Sequence, residues 1–433
     1  MSAILSLTLQ RYSPRSFQVF CAWLWICVYC FCCPQPLQAQ PHLKILESDA
    51  GRIRLHLQGE LQSNYRILAS PDLAFDPAQS EELPLSLPAE QAQGLLEHDQ
   101  LEIRTDDLGE AQFEVAIPAG EALVFFAAST WLHTVQIPST LDGSLQPSQI
   151  YLPSASEEAV PLIVNLHSWR SNYLNRKANR ELILERWAID QGWAFLRPNF
   201  RGPNDNPDAT GSDLAVQDVV DAVNYAKSHA NIDASQIYVI GSSGGGHMAL
   251  LLAGRHPTLW AGVSAWVPIS DLALWYEQRL AKRGASDKFV TRLVASTGGA
   301  PGDSSAVDAE YSQRSPRTHL SQAANQVPIH ISAGINDGHS GDVPINHSLY
   351  AFNELAAAGD QLSEAQINSM TRDRIIPSPL DSEVEADPSY GTKAPLFRRS
   401  SQQATLTIFD GRHEMIVDAA IAWIESLRAA ETP

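Results

Sequence analysis

The chain has 433 residues, is 44% hydrophobic and 18% charged, and carries a formal net charge of −19. This is the composition of a globular protein with a sizeable core, longer than one ordinary domain of roughly 100–200 residues. The acidity argues against a nucleic-acid binder, because phosphate contact needs clustered Lys and Arg.

The first 39 residues read as a secretory signal peptide. Arg11 and Arg15, with no acid, precede an apolar run from Phe17 to Cys33 broken only by Gln18, and Ala39 supplies a small residue at its end. The alternative is a retained anchor, but a run of 17 residues is short for a bilayer that needs about 20. All five cysteines, Cys21, Cys27, Cys30, Cys32 and Cys33, fall in this segment. The mature chain then has no disulfide, no thiolate zinc site and no cysteine nucleophile. An exported, cysteine-free protein fits a bacterial secreted or periplasmic enzyme, and no membrane partner is expected beyond that segment.

Residues 43–130 read as a small all-β sandwich. Ile53 to Leu57 alternates apolar and polar, and Tyr65 to Leu68, Ala111 to Val115 and Leu123 to Phe126 continue the pattern. The stretch Tyr65 to Leu73 with Phe125-Phe126 resembles β-modules attached to secreted bacterial enzymes. Such a module implies carbohydrate or surface binding; a spacer is the simpler reading.

From residue 131 to 433, strand-like and helical runs alternate, which predicts an α/β domain with a mostly parallel sheet and flanking helices. Strands are expected at 161–166, 193–197, 237–240, 261–267, 327–333 and 404–409. Helices are expected at 180–190, 213–228, 247–254 and 415–427. Two segments interrupt the alternation: a helical, polar stretch at 271–325, long enough for a cap, and a Ser-, Asp- and Pro-rich insertion at 360–403.

The sharpest motif is Gly241-x-Ser243-x-Gly245, directly after the 237–240 strand and opening a helix. That context defines a nucleophile elbow, the strained strand-to-helix turn of the α/β-hydrolase fold. Ser243 is the nucleophile, and Ser242 competes only by adjacency. No Lys follows, so a phosphate-binding P-loop fails. The Gly244 amide, next after the nucleophile, is expected to supply half of an oxyanion hole.

A serine hydroxyl needs a base, and the base an orienting carboxylate, in the chain order Ser, Asp or Glu, His. His413 stands after the last predicted strand and before the last helix, where the base belongs; His319, His330, His339 and His347 are less well placed. Asp337 lies just past the 327–333 strand and is preferred as the acid over Asp342. Asp337, His339 and Asp342 are also an incomplete metal-ligand set, and no cofactor is implied. His167-Ser168-Trp169 follows the 161–166 strand, where many esterases carry glycines. The second oxyanion donor is therefore the backbone amide of Ser168 or Trp169, and the Trp169 ring either walls the acyl pocket or packs as an ordinary core residue. Arg201 is read as holding loops together rather than meeting a substrate carboxylate.

Together, Arg201-Gly202, Asn231-Ile232-Asp233, Gly241 to Gly245, Gly334 to Asp337 with Val343-Pro344, and His413 resemble the catalytic domain of the prolyl oligopeptidase family over about residues 131–433. The resemblance implies a serine peptidase or related esterase, acetyl-xylan-type deacetylases included, with Ser243, Asp337 and His413 as its triad. The substrate is then a small ester or a peptide, with a carbohydrate ester as a further option. Two departures tilt the reading modestly toward an esterase. The residues before the domain are too few for a β-propeller, and the insertion at 360–403 widens the gap between Asp337 and His413 to 76 positions. A binding protein on an inactive hydrolase scaffold is the competing reading, and three filled triad positions argue against it.

Overall fold

The computed structural model describes residues 132–153, 158–174, 178–382, 384 and 386–431, together with the backbone of seven strands between residues 26 and 130. The chain divides into two units, Met1–Leu132 and His133–Pro433.

In the first unit the strands are β1 (Ile26–Val28), β2 (His42–Asp49), β3 (Arg52–Gln58), β4 (Asn64–Ser70), β5 (Leu101–Arg104), β6 (Glu110–Ala116) and β7 (Val124–Thr130). β2, β3 and β6 form one antiparallel sheet. β4 pairs antiparallel with β5 and β7, and β1 lies parallel to β7. The segment read as a signal peptide lies outside the described residues apart from the backbone of β1.

The second unit begins with a hairpin, β8 (His133–Pro138) and β9 (Leu145–Tyr151), absent from the sequence reading. The alternation follows: β10 (Val160–Leu166), α1 (Ala178–Asp190), β11 (Ala194–Pro198), α2 (Asp213–His229), β12 (Ile232–Ser242), α3 (Gly244–Arg255) and β13 (Gly262–Trp266). Three helices come next, α4 (Leu272–Arg283), α5 (Lys288–Thr297) and α6 (Ser305–Gln313). The unit closes with β14 (Ile329–Gly334), α7 (Asn346–Leu355), α8 (Glu364–Asn368), β15 (Pro395–Ser401), β16 (Ala404–Phe409) and α9 (Val417–Glu431).

The described strands of this unit make one nine-stranded sheet in the order β15-β16-β14-β13-β12-β10-β11-β9-β8. The six from β16 to β11 are parallel. The edges, β8 with β9 and β15, are antiparallel. β13 and β14 are buried along their whole length, as strands of a parallel sheet covered on both faces are, and their polar residues Ser264, His330 and Ser332 are buried with the rest. This is the mostly parallel sheet with flanking helices of an α/β-hydrolase.

The helices follow from their sequences. Ser212 caps α2 by accepting from the Ala215 amide, and Ala215, Val216, Val219, Ala222, Val223 and Ala226 give its buried stripe. Every residue of α3 from Gly244 to Gly254 is buried, as its Gly, Ala and Leu content requires of a helix with no polar face. The insertion at 360–403 is not a plain loop: it contributes α8 and the edge strand β15. The order of strands reverses at β10, which sits between β11 and β12. Crevices at the carboxyl ends of strands on either side of such a reversal are where open α/β sheets bind ligands.

Candidate active site

Ser243 directly follows β12 and stands at the cap position of α3 with φ 59° and ψ −115°. This left-handed conformation is costly for a serine and typical of a functional turn. Its amide donates to the Trp266 carbonyl oxygen at 2.9 Å, and its side chain makes no helix cap, so the hydroxyl is left to face outward. The motif glycines are there for close approach. A Cβ on Gly241 would lie 2.1 Å from the Gly245 carbonyl oxygen, and one on Gly245 would lie 2.3 Å from the Leu166 carbonyl oxygen.

Asp337 follows β14 and His413 follows β16, so all three side chains gather at the carboxyl edge of the sheet. Ser243 Oγ lies 2.8 Å from His413 Nε2. His413 Nδ1–H donates to Asp337 Oδ2 at 2.6 Å. Since a carboxylate only accepts, this bond fixes the tautomer and leaves Nε2 as the acceptor for the serine proton. Asp337 is 2% exposed, and its other oxygen accepts from the amides of Gly338 (2.8 Å) and Val343 (3.3 Å). Asp342 stands elsewhere: its carboxylate pairs with Arg279 at 3.1 Å. His339 Nε2 bonds the Thr371 carbonyl oxygen at 2.8 Å. Asp337, His339 and Asp342 are thus engaged separately, and no group of three or more metal-ligating side chains occurs among the described residues.

The loop after β10 lies against the start of α3. A Cβ on Gly244 would fall 2.3 Å from the Trp169 amide nitrogen, so the backbones of these two residues touch. Neither amide donates to a protein acceptor among the described residues. Gly244 opens α3, where unpaired N–H groups and the helix dipole favour negative charge. Ser168 instead turns its carbonyl oxygen to the Ser171 amide (3.0 Å) and to His167 Nδ1 (3.1 Å). Of the two residues considered for the second donor, Trp169 is the one beside Gly244. Its ring is 2% exposed and belongs to the apolar cluster with Trp275, Tyr276, Phe289 and Leu293 beneath α4 and α5. It therefore packs the core rather than walling an open pocket.

His167 is a site residue that sequence reasoning passed over. Its ring stacks on Phe200 at 3.7 Å, and a Cβ on Gly202 would lie 2.2 Å from its Cε1. Burial lowers its pKa to about 4, so the ring is neutral and its Nδ1–H donates to the Ser168 carbonyl oxygen. The signal available was its position, directly after a buried strand. Arg201 is saturated by carboxylates, with Asp218 at 2.6 Å and Asp142 at 2.8 Å, and is structural.

Residues 187–372 match the model of the prolyl oligopeptidase family. The matched span is less than half of the chain. It holds Ser243 and Asp337 and stops before His413. An uncharacterized peptidase of Bacillus subtilis (strain 168), YtmA, is 29% identical over 168 residues, 38% of this chain, and the chain spans 59% of that relative's length. Among solved structures, an acylaminoacyl peptidase of Pyrococcus horikoshii is 16% identical with a TM-score of 0.42, covering 52% of this chain and 34% of its own. A puromycin-hydrolyzing peptidase of Mycobacterium tuberculosis is 15% identical with a TM-score of 0.46, covering 76% and 45%. No helix among the described residues is long and apolar enough to cross a membrane.

Proposed function

We propose that this chain is a serine hydrolase that opens an ester or peptide bond through an acyl-enzyme. The observation that carries this reading is the unbroken line from Ser243 Oγ through His413 to Asp337, at 2.8 and 2.6 Å. His413 Nε2 takes the Ser243 proton as Oγ attacks the substrate carbonyl carbon. The negative charge that forms on the carbonyl oxygen is met by the Gly244 and Trp169 amides. His413 then returns the proton to the departing amine or alcohol. A water repeats the sequence and frees the acid, with Asp337 holding the imidazole tautomer throughout. The reading of a binding protein on an inactive scaffold has no observation in its favour.

Peptides are the favoured substrate class, because the family model and the curated relative both bear a peptidase's name. Turnover of peptidyl p-nitroanilides and of p-nitrophenyl acetate by wild type and Ser243→Ala tests this. Hydrolysis of the anilides by wild type alone supports the peptidase reading. Hydrolysis of the acetate alone moves the assignment to an esterase, and equal residual rates in both proteins overturn it.

We also infer export directed by residues 1–39. The basic start, the apolar run and the confinement of all cysteines to this segment support it. Intact mass of protein recovered outside the cytoplasm of an expressing bacterium checks it, with a mature start near Gln40 expected. The strands before residue 131 are read as an accessory sandwich, a spacer in the simplest case.

A further inference from the structure

One stripe of α4 reaches the loop that carries Asp337. Trp275, Arg279 and Lys282 stand four and then three positions apart, which a period of 3.6 residues puts on one face. Trp275 Nε1–H donates to the Asp342 carbonyl oxygen at 3.0 Å. Arg279 Nη1 donates to Asp342 Oδ1 at 3.1 Å. Lys282 Nζ donates to the carbonyl oxygens of Gly338 and His339. The loop 338–342 is thereby held to α4 at both ends, and the amides of its first residue, Gly338, and of Val343 just beyond it are those that grip Asp337 Oδ1.

The stripe is itself fixed. Arg279 also pairs with Asp287, the cap of α5, and both side chains are under a tenth exposed. Trp275 has a second neighbour: its ring meets Trp169 edge-on, with centroids 4.8 Å apart and planes at 71°. Trp275 is 1% exposed, so this contact is part of a packed interior. One indole therefore touches both the residue whose amide adjoins Gly244 and the loop that presents the acid to His413.

We propose that this stripe of α4, with Trp275 at its centre, is a positioning device that keeps the acid loop and the oxyanion segment in register. The proposal rests on the catalytic reading above. Trp275 touches no reacting atom; it acts through Asp342 on the loop that sets Asp337, and through Trp169 on the backbone beside Gly244. Loss of the indole N–H frees the Asp342 carbonyl, slackens the loop and lengthens the bond between Asp337 and His413. Misplacement of a catalytic group by about 1 Å costs up to about a hundredfold in rate.

Two variants of the full chain test it. Trp275→Phe keeps most of the ring against Trp169 and removes the donor. Lys282→Met, at an exposed position, removes the other anchor with little risk to folding. The readouts are the far-downfield ¹H resonance of the proton shared by His413 Nδ1 and Asp337, assigned by its absence in His413→Ala, and kcat and KM on p-nitrophenyl acetate. The expected result in Trp275→Phe is a resonance shifted upfield and broadened by exchange, with kcat down about tenfold and KM within about twofold. Lys282→Met shifts both in the same direction by less. An unchanged resonance and kcat in both variants overturns the proposal, as does a fall in melting temperature with neither readout moved. If Trp275→Phe does not fold, Lys282→Met alone decides. The resonance needs no turnover, so a wild type that shows it while hydrolysing neither the ester nor the peptidyl p-nitroanilides sinks the catalytic reading and leaves the positioning claim tested; where only the anilides are turned over, kcat and KM are read on them. A wild type with no such resonance overturns the Asp337–His413 pairing, and the proposal with it.

Discussion

His413 Nε2 lies 2.8 Å from Ser243 Oγ across 170 positions of chain. That approach is made by the sheet: β12 and β16 end on the same edge with β13 and β14 between them, and the loops beyond them converge.

The choice of acid has a direct test. Asp337→Asn removes the charge beside His413 Nδ1 while keeping the shape, and kcat is expected to fall by about 10³–10⁴. Asp342→Asn disturbs only a partly exposed pair with Arg279 and is expected to cost less than about tenfold. Steady-state kinetics of the two variants side by side checks this, and comparable losses would remove the distinction.

Gly341 is a second test of the same pair. A Cβ there would lie 2.1 Å from Asp337 Oδ1 and 2.7 Å from His413 Cβ. Gly341→Ala must displace one or both, and kcat is expected to drop by about tenfold to a hundredfold with little change in KM. A wild-type rate in that variant would mean the loop yields without moving the acid.

Arg201 carries the stability prediction. Its guanidinium pairs with Asp218, whose side chain is fully enclosed and whose pKa burial pushes upward. Arg201→Met leaves that carboxylate without its cation, and a loss of about 3–5 kcal/mol is expected from removing one partner of a buried pair. Denaturant unfolding measures it. A loss under about 1 kcal/mol would match an exposed pair instead.

Four buried histidines make the fold acid-sensitive. Burial lowers His330 and His347 to about 3 and His167 and His247 to about 4, against about 6.5 in the unfolded chain. Between those values the unfolded state binds more protons, so stability rises with pH. The contribution is fully present above about pH 6.5 and is lost as pH falls toward 4 and then 3. Each histidine is expected to cost about 1–2 kcal/mol between pH 7 and pH 5. Melting temperature recorded from pH 8 to pH 4 checks the sign, which is contradicted by a midpoint that holds or rises on acidification.

Much of the second unit was legible in its sequence for a physical reason. Strands buried on both faces leave near-continuous apolar runs, so β10 and the 237–240 stretch of β12 stand out between helical stretches. The elbow was legible because Gly241 and Gly245 are required by backbone contact. Asp337, which meets His413, lies nearer the strand end than Asp342, which pairs with Arg279. The edge elements were not legible: β8 carries exposed polar positions, β9 exposes Leu145 while it buries Ser148 and Gln149, and β15 runs Phe397-Arg398-Arg399-Ser400, which lacks a clean alternation. Trp169 stayed open between a pocket wall and ordinary packing, because an indole after such a strand looks the same in sequence whether it faces substrate or core; the structure packs it in the apolar cluster. The roles of His167 and Trp275 come from packing partners far away in the chain, Phe200 and the 338–342 loop, which no local pattern encodes.

The most direct test of the central claim is the labelling of Ser243 by a fluorophosphonate, read by intact mass on wild type, Ser243→Ala and His413→Ala. A single adduct is expected on wild type, none on Ser243→Ala, and labelling slowed by about 10³-fold or more on His413→Ala. Equal labelling of wild type and Ser243→Ala, or no labelling of folded wild type, would contradict it.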